Sequence, residues 1–192
     1  MIARLDPIGD PLGLKGQFLI ATPQMPDPRF KEQLIYLCSH DQGGAMGLVV
    51  NRPSAHSLLE IFKGLQVEVG KGEWPPIYLG GPVETEAAFF LYTDDYQAGD
   101  FLAVGGGIRL SRDPRILHDL AAGQGPRRYI FALGYAGWGP GQLENELTVN
   151  GWLTLPAEAS IIFDTPDVEK WQQAARRFGI DIAIFNDQVG LA

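Results

Sequence analysis

Apolar positions in this chain come in short runs of roughly strand length, punctuated by single glycines and prolines. Phe18 to Ala21 reads as a strand stopped by Thr22-Pro23. Pro26 and Pro28 then impose a rigid, non-helical connector, because each fixes its own φ and restricts the residue before it. Leu34 to His40 and Ala45 to Asn51 are β-rich runs joined by Asp41-Gln42-Gly43-Gly44, which predicts a hairpin. The period of two places Leu34, Tyr36, Cys38 and His40 on one face. Ser57 to Leu65 has helical spacing in Leu58, Phe62 and Leu65, with Ser57 as cap.

Ile77 to Leu79 and Phe89 to Tyr92 read as strands, and Phe101 to Val104 and Ile108 to Leu110 as two more flanking the turn or bulge of Gly105 to Gly107. Asp113-Pro114 opens a helix whose buried stripe is Ile116, Leu117, Leu120 and Ala121, ended by Gly123. Arg128 to Gly134 is an apolar strand, and Pro140 starts a helix carrying Leu143 and Leu147. Ile161 to Phe163 is read as a strand. Asp164 or Thr165 caps a last helix with Val168, Trp171, Ala175 and Phe178 as its stripe and Gly179 as stop, and Ile182 to Phe185 closes the sheet.

Helices do not follow strands in a strict βαβ rhythm. The expected class is therefore α+β, with a largely antiparallel or mixed sheet. Met1 to Lys15 reads as an irregular arm and residues 16–192 as one domain, with no internal repeat or linker. The length of 192 residues fits that organisation.

Charge narrows the function. With 15 basic and 23 acidic residues, the formal charge of −8 opposes a general nucleic-acid surface, which needs clustered Lys and Arg. The adjacent pairs Arg127-Arg128 and Arg176-Arg177 read as solvated surface. A lone cysteine, no signal-like apolar region at the N-terminus and no run of membrane-spanning length give a cytoplasmic expectation, without membrane contact.

Strong chemical motifs are missing: no GxxxxGK[ST], HExxH or paired CxxC is present, and Gly105-Gly106-Gly107 does not match GxGxxG. No cofactor or metal is expected. Cys38 and His40 are close enough to share an ion or a proton, but zinc needs two more ligands. A free cysteine in a strand is ordinarily a small core hydrophobe. Ser111, before Arg112-Asp113-Pro114, looks like a helix entrance rather than a nucleophile. The most unusual segment is Gly134 to Glu146, GYAGWGPGQLENE. Its glycines permit close backbone approach and its helix start offers free N–H groups, a combination suited either to cradling an anion or to a tight strand-to-helix turn. Glu144 and Glu146, two apart on a helix, point to different sides and form no catalytic pair.

Taken together in order and spacing, GQFLIATPQMPDPRF (16–30), YLCSHDQGGAMGLVVNRP (36–53), YLGGPV (78–83), LSRDPRIL (110–117), ALGYAGWGPGQLENEL (132–147) and NGWL (150–153) resemble the AlgH/YqgE family of bacterial proteins. The resemblance implies a bent, coiled sheet approaching a barrel with helices packed outside. One branch of that family carries a label as a transcriptional regulator of alginate production, and the resemblance supplies no catalytic residues. Where many members have a histidine after the strand at Phe89 to Leu91, this chain has Tyr92.

Three functions follow as expectations. The first is a non-enzymatic binding or regulatory protein acting through a protein partner or small ligand. Its candidate rim consists of Asn51, Arg52, Gly80, Gly81, Tyr135, Trp138 and Glu144, provided Arg52 and Trp138 share one open pocket. The second is a hydrolase or thiol-dependent enzyme using Cys38 with His40. The third, direct DNA binding, lacks a helix-turn-helix pattern and a basic helix.

Overall fold

Most of the apolar runs become strands here, and Gln17–Ala21 and Leu34–Asp41 are buried along nearly their whole length. The computed structural model describes residues 13–180 apart from 23, 24, 26, 71 and 150. Its strands are β1 (Gln17–Ala21), β2 (Leu34–Asp41), β3 (Gly44–Val49), β4 (Pro53–Ser57), β5 (Pro76–Leu79), β6 (Val83–Thr93), β7 (Leu102–Gly105), β8 (Ile108–Ser111), β9 (Tyr129–Trp138) and β10 (Trp152–Pro156). The helices are α1 (Leu58–Gly64), α2 (Arg115–Ala121), α3 (Gln142–Thr148), α4 (Ala159–Phe163) and α5 (Asp167–Arg177). A 3-10 turn spans Pro28–Phe30.

The strand order is β10-β1-β2-β3-β9-β6-β8-β7, with β4 and β5 attached through β9. Among the described residues only β5 and β9 pair in parallel. β9 is the spine. Its first part pairs with β6, and its last residues, Ala136 to Trp138, pair with β3. The sheet then curls until its far end approaches its beginning: Tyr36 Oη donates to the Gly105 carbonyl at 3.4 Å, bringing β7 toward β2. The fold is the α+β class with a strongly curled, mainly antiparallel half-barrel.

Three apolar clusters follow from that curl. The concave one draws Phe18, Tyr36, Leu48, Phe89, Leu91 and Ile130 from both halves of the sheet, and α4 and α5 close it with Ile161, Ile162, Trp171 and Ala174. On the convex side, α3 packs Leu143 against Leu19, Leu37 and Trp152, while α1 and α2 pack Phe62 and Ile116 against Phe90 and Phe131. So α1, α2 and α3 lie outside the curl, as the resemblance implies. α4 and α5 instead close its inner face.

Some local expectations fail for physical reasons. Ile161 to Phe163 is helical: Ile161 and Ile162 both enter the concave cluster, whereas a strand would send neighbours to opposite faces. In α5 the buried stripe is Lys170, Trp171, Ala174 and Ala175, and Val168 is 88% exposed. β4 is mostly exposed and polar, so its sequence carries no apolar signal. β10 lies outside the sequence expectations because Thr154 interrupts its apolar run. β9 runs past Gly134 to Trp138, so the first part of the Gly134-to-Glu146 segment is strand and the turn proper is confined to residues 139–141. The stretch Ile182 to Phe185 and most of the N-terminal arm lie outside the described residues.

Candidate functional site

The β2–β3 hairpin contains one irregularity with large consequences. Leu37 pairs with Gly47, but the next pair is Ser39 with Met46, so Cys38 is an extra residue in a bulge. A one-residue slip exchanges the faces of everything beyond it. Cys38 stays in the concave cluster, and Ser39 falls on the same side as Met46. His40 turns outward, opposite Ala45 of the convex cluster. The expectation that Cys38 and His40 share a face is therefore corrected. Burial pushes the Cys38 thiol up to about 12, which opposes the thiolate a nucleophile needs. His40 is buried with Nε2 2.8 Å from Glu144 Oε1 on α3. The Glu144 carboxyl is held below the ordinary carboxylate range by its own backbone N–H and then by the His40 ring.

The glycines pack against each other. A Cβ on Gly80 would stand 2.3 Å from the Gly134 carbonyl oxygen, and one on Gly81 2.0 Å from the Tyr135 carbonyl carbon. Gly134, with φ +72°, lies 2.5 Å by the same measure from the Gly81 oxygen. These positions require glycine because two backbones touch there. Their contact lets β9 break register with β6, between Leu133↔Ala88 and Tyr135↔Val83, and cross to β3. Gly80, Gly81 and Gly134 thus serve the crossing and offer no cradle for an anion.

Glu146 binds two indoles. Its Oε2 accepts from Trp138 Nε1 at 2.9 Å and from Trp152 Nε1 at 2.7 Å, and its Oε1 accepts from Gln142 Nε2 at 2.9 Å. Glu144 and Glu146 serve different partners, as their spacing predicts. Asn51 is also an internal tie, accepting from Leu34 N–H and donating to the Glu32 carbonyl. With Arg52 it lines a pocket of about 500 Å³ beside Asp167 and Trp171. Trp138 does not line that pocket, so the seven rim residues do not converge. Tyr92 is fully buried and stacked edge-on to Tyr96, a core residue.

The sequence reading missed Lys170. This side chain is buried; Nζ donates to the Val50 carbonyl at 2.8 Å and pairs with Asp167 at 2.6 Å. Asp167 in turn accepts from Tyr78 Oη at 2.9 Å. Burial pulls the Lys170 ammonium below its ordinary value, with Asp167 opposing, and burial pushes the Tyr78 hydroxyl up. The i,i+3 spacing of Asp167 and Lys170 was the available signal.

What remains open is the mouth of the curl. A groove of about 710 Å³ has an apolar floor of Met46, Val83, Phe89, Leu102 and Leu110, drawn from both halves of the sheet. Ser39, Asp41, Glu84, Arg112 and Tyr135 supply its polar groups. The Arg112 guanidinium sits 5.1 Å from the Phe89 ring centre, and Tyr135 meets the same ring edge-on. Tyr135 Oη donates to Glu84 Oε1 at 3.4 Å. Glu84 itself has φ +43°, a left-handed conformation that a non-glycine residue adopts at a cost of about 1–2 kcal/mol. Of the candidate rim, Tyr135 and Trp138 line this groove. Among the described residues no group of three or more His, Cys, Asp or Glu is placed to hold a metal ion, and no helix is long and apolar enough to cross a membrane.

The curled sheet recurs in known proteins. The family model described as AlgH-like matches residues 18–183. This chain belongs to the AlgH-like family. It is 44% identical over 180 residues to a UPF0301 protein of Desulfotalea psychrophila, covering 93% of this chain and 95% of that one. A UPF0301 protein of Cupriavidus metallidurans is 44% identical over 184 residues, covering 95% and 97%. The solution structure of the AlgH protein from Pseudomonas aeruginosa superposes with a TM-score of 0.78 at 41% identity, covering 96% and 98%. A crystal structure of a protein from Corynebacterium diphtheriae, at 20% identity, shares the fold with a TM-score of 0.70. Membership in the AlgH-like family establishes the architecture and names no reaction.

Proposed function

We propose that this protein is a non-enzymatic binding protein whose site is the mouth of the curled sheet. In this reading the groove takes the apolar part of a small ligand, and any regulatory action follows from its occupancy. The observation that carries it is the floor of Met46, Phe89, Leu102 and Leu110 facing an opening of ordinary ligand size. The bulge at Cys38 supports it by turning Ser39 toward this side. A thiol-dependent activity is not favoured, because Cys38 and His40 lie on opposite faces of the sheet. Direct DNA binding is opposed by the formal charge of −8.

The test is to titrate the protein with octanol while following side-chain methyl resonances by NMR. Shifts confined to Met46, Val83, Leu102 and Leu110 are expected. Equal shifts at the convex methyls of Leu58 and Leu143, or none at the groove, would sink the reading.

A further inference from the structure

The polar groups of the groove are not equivalent, and the difference selects a ligand class. Asp41 Oδ1 accepts from the Gly43 backbone N–H at 2.6 Å and so is part of the hairpin turn. Glu84 accepts the Tyr135 hydroxyl. Arg112, by contrast, is the one cation among the lining residues. Among the described residues it has no carboxylate within ion-pair distance; it leans on the Phe89 ring and feels the Tyr135 hydroxyl electrostatically. Ser39 likewise makes no side-chain hydrogen bond among the described residues, although the bulge at Cys38 points it to this side. Both unused polar groups can donate, and both flank an apolar floor.

We infer that the ligand of this groove is a small amphipathic carboxylate, its headgroup held by Arg112 and Ser39 and its hydrocarbon lying over Phe89 and Met46. The inference rests on the binding reading given above. A guanidinium over an aromatic ring in contact with water is weakly held, and a carboxylate meeting two of its N–H groups is a stronger partner. The ring contact need not be lost, since the guanidinium can stack on Phe89 through its face while its edge meets the acid. The protein's overall negative charge works against any anion at long range. Recognition therefore depends on the short-range contact, and salt should change affinity only modestly.

The experiment is calorimetric titration of the full chain, at neutral pH, with octanoate, octanol and octylamine. Each is repeated on Arg112→Gln and Arg112→Lys, with urea midpoints to confirm that both variants fold as the wild type does. Octanoate should bind the wild type at least about tenfold more tightly than octanol or octylamine. Arg112→Gln should remove that preference by weakening octanoate at least about tenfold more than it weakens octanol, and Arg112→Lys should restore part of it. If none of the three binds the wild type, the groove reading itself fails. Equal binding of all three leaves the groove a binding site and overturns the assignment of its headgroup. A peptide ending in an apolar residue with a free carboxylate, if it binds more tightly than octanoate, overturns the small-ligand assignment in favour of a protein partner.

Discussion

His40 Nε2 lies 2.8 Å from Glu144 Oε1, joining a buried imidazole at the end of β2 to a partly exposed carboxylate on α3. The contact exists because the bulge at Cys38 turns His40 away from the concave face. It pins the helix that follows the glycine crossing onto the hairpin. Removing the carboxylate deprives a buried ring nitrogen of its partner, at a cost of about 1–2 kcal/mol. Glu144→Ala should lower the urea midpoint accordingly at neutral pH.

The same contact predicts an acid dependence. The folded carboxyl is held below its ordinary value, so its contribution is complete above the unfolded value of about 4.3. It is lost as pH falls through the lower folded value. Urea midpoints of wild type and Glu144→Gln should therefore converge as the solution is taken from neutral to about pH 3. A gap that persists unchanged in acid would mean that the contact is not ionic.

At the crossing, Gly81→Ala and Gly134→Ala each place a methyl against backbone that cannot yield. Overpacking of this kind costs about 1–3 kcal/mol and more where the backbone is fixed, and Gly134 adds the strain of its positive φ. Both variants should lose most soluble yield or a large part of their urea stability. Gly64→Ala, with nothing within 4 Å of its added methyl at the end of α1, should be neutral or slightly stabilising.

Cys38 should be silent toward a thiol reagent in the folded protein. Its sulfur is wholly buried and its thiol is pushed up by that burial. Labelling at neutral pH should follow global unfolding and speed up with urea in proportion. Rapid stoichiometric labelling without denaturant would show the concave core to be open.

Lys170 should shape the alkaline limb of stability. Its folded value lies below the unfolded one of about 10.4. Between the two the unfolded chain binds the extra proton, so stability should rise with pH across that window. Lys170→Met should flatten this rise, as read from urea midpoints taken at successive pH values up to about 9, before ordinary tyrosines ionise appreciably.

How much of this was legible beforehand depends on the kind of signal. The Leu34-to-Asn51 hairpin, the Gly105-to-Gly107 turn and the helix opened by Pro114 depend on local preferences, and the structure has all three. Ile161 to Phe163 was misread because a three-residue apolar run has no period. Lys170 was missed because its burial requires Val50 and Tyr78 from distant strands. The candidate rim scattered for a related reason: Gly80 and Gly81 are demanded by the backbone of β9, and no local pattern reveals which strand a glycine will face. A single inserted residue at Cys38 reversed the face of His40. The groove itself joins Met46, Phe89 and Leu110, whose proximity exists only once the sheet has curled.

The pairing of β1 with β10 sets a condition on how the protein is made. Gln17 aligns with Pro156, and Leu19 with Thr154, so the first strand finds one of its two neighbours only after nearly the whole described chain has emerged. Such long sequence separations slow folding to roughly the millisecond-to-second range. Any nascent or truncated chain lacking Trp152 to Pro156 leaves the apolar run FLIA with a bare hydrogen-bonding edge. That edge is a template for intermolecular strand addition. Fragments ending before it should therefore precipitate rather than persist as soluble half-domains.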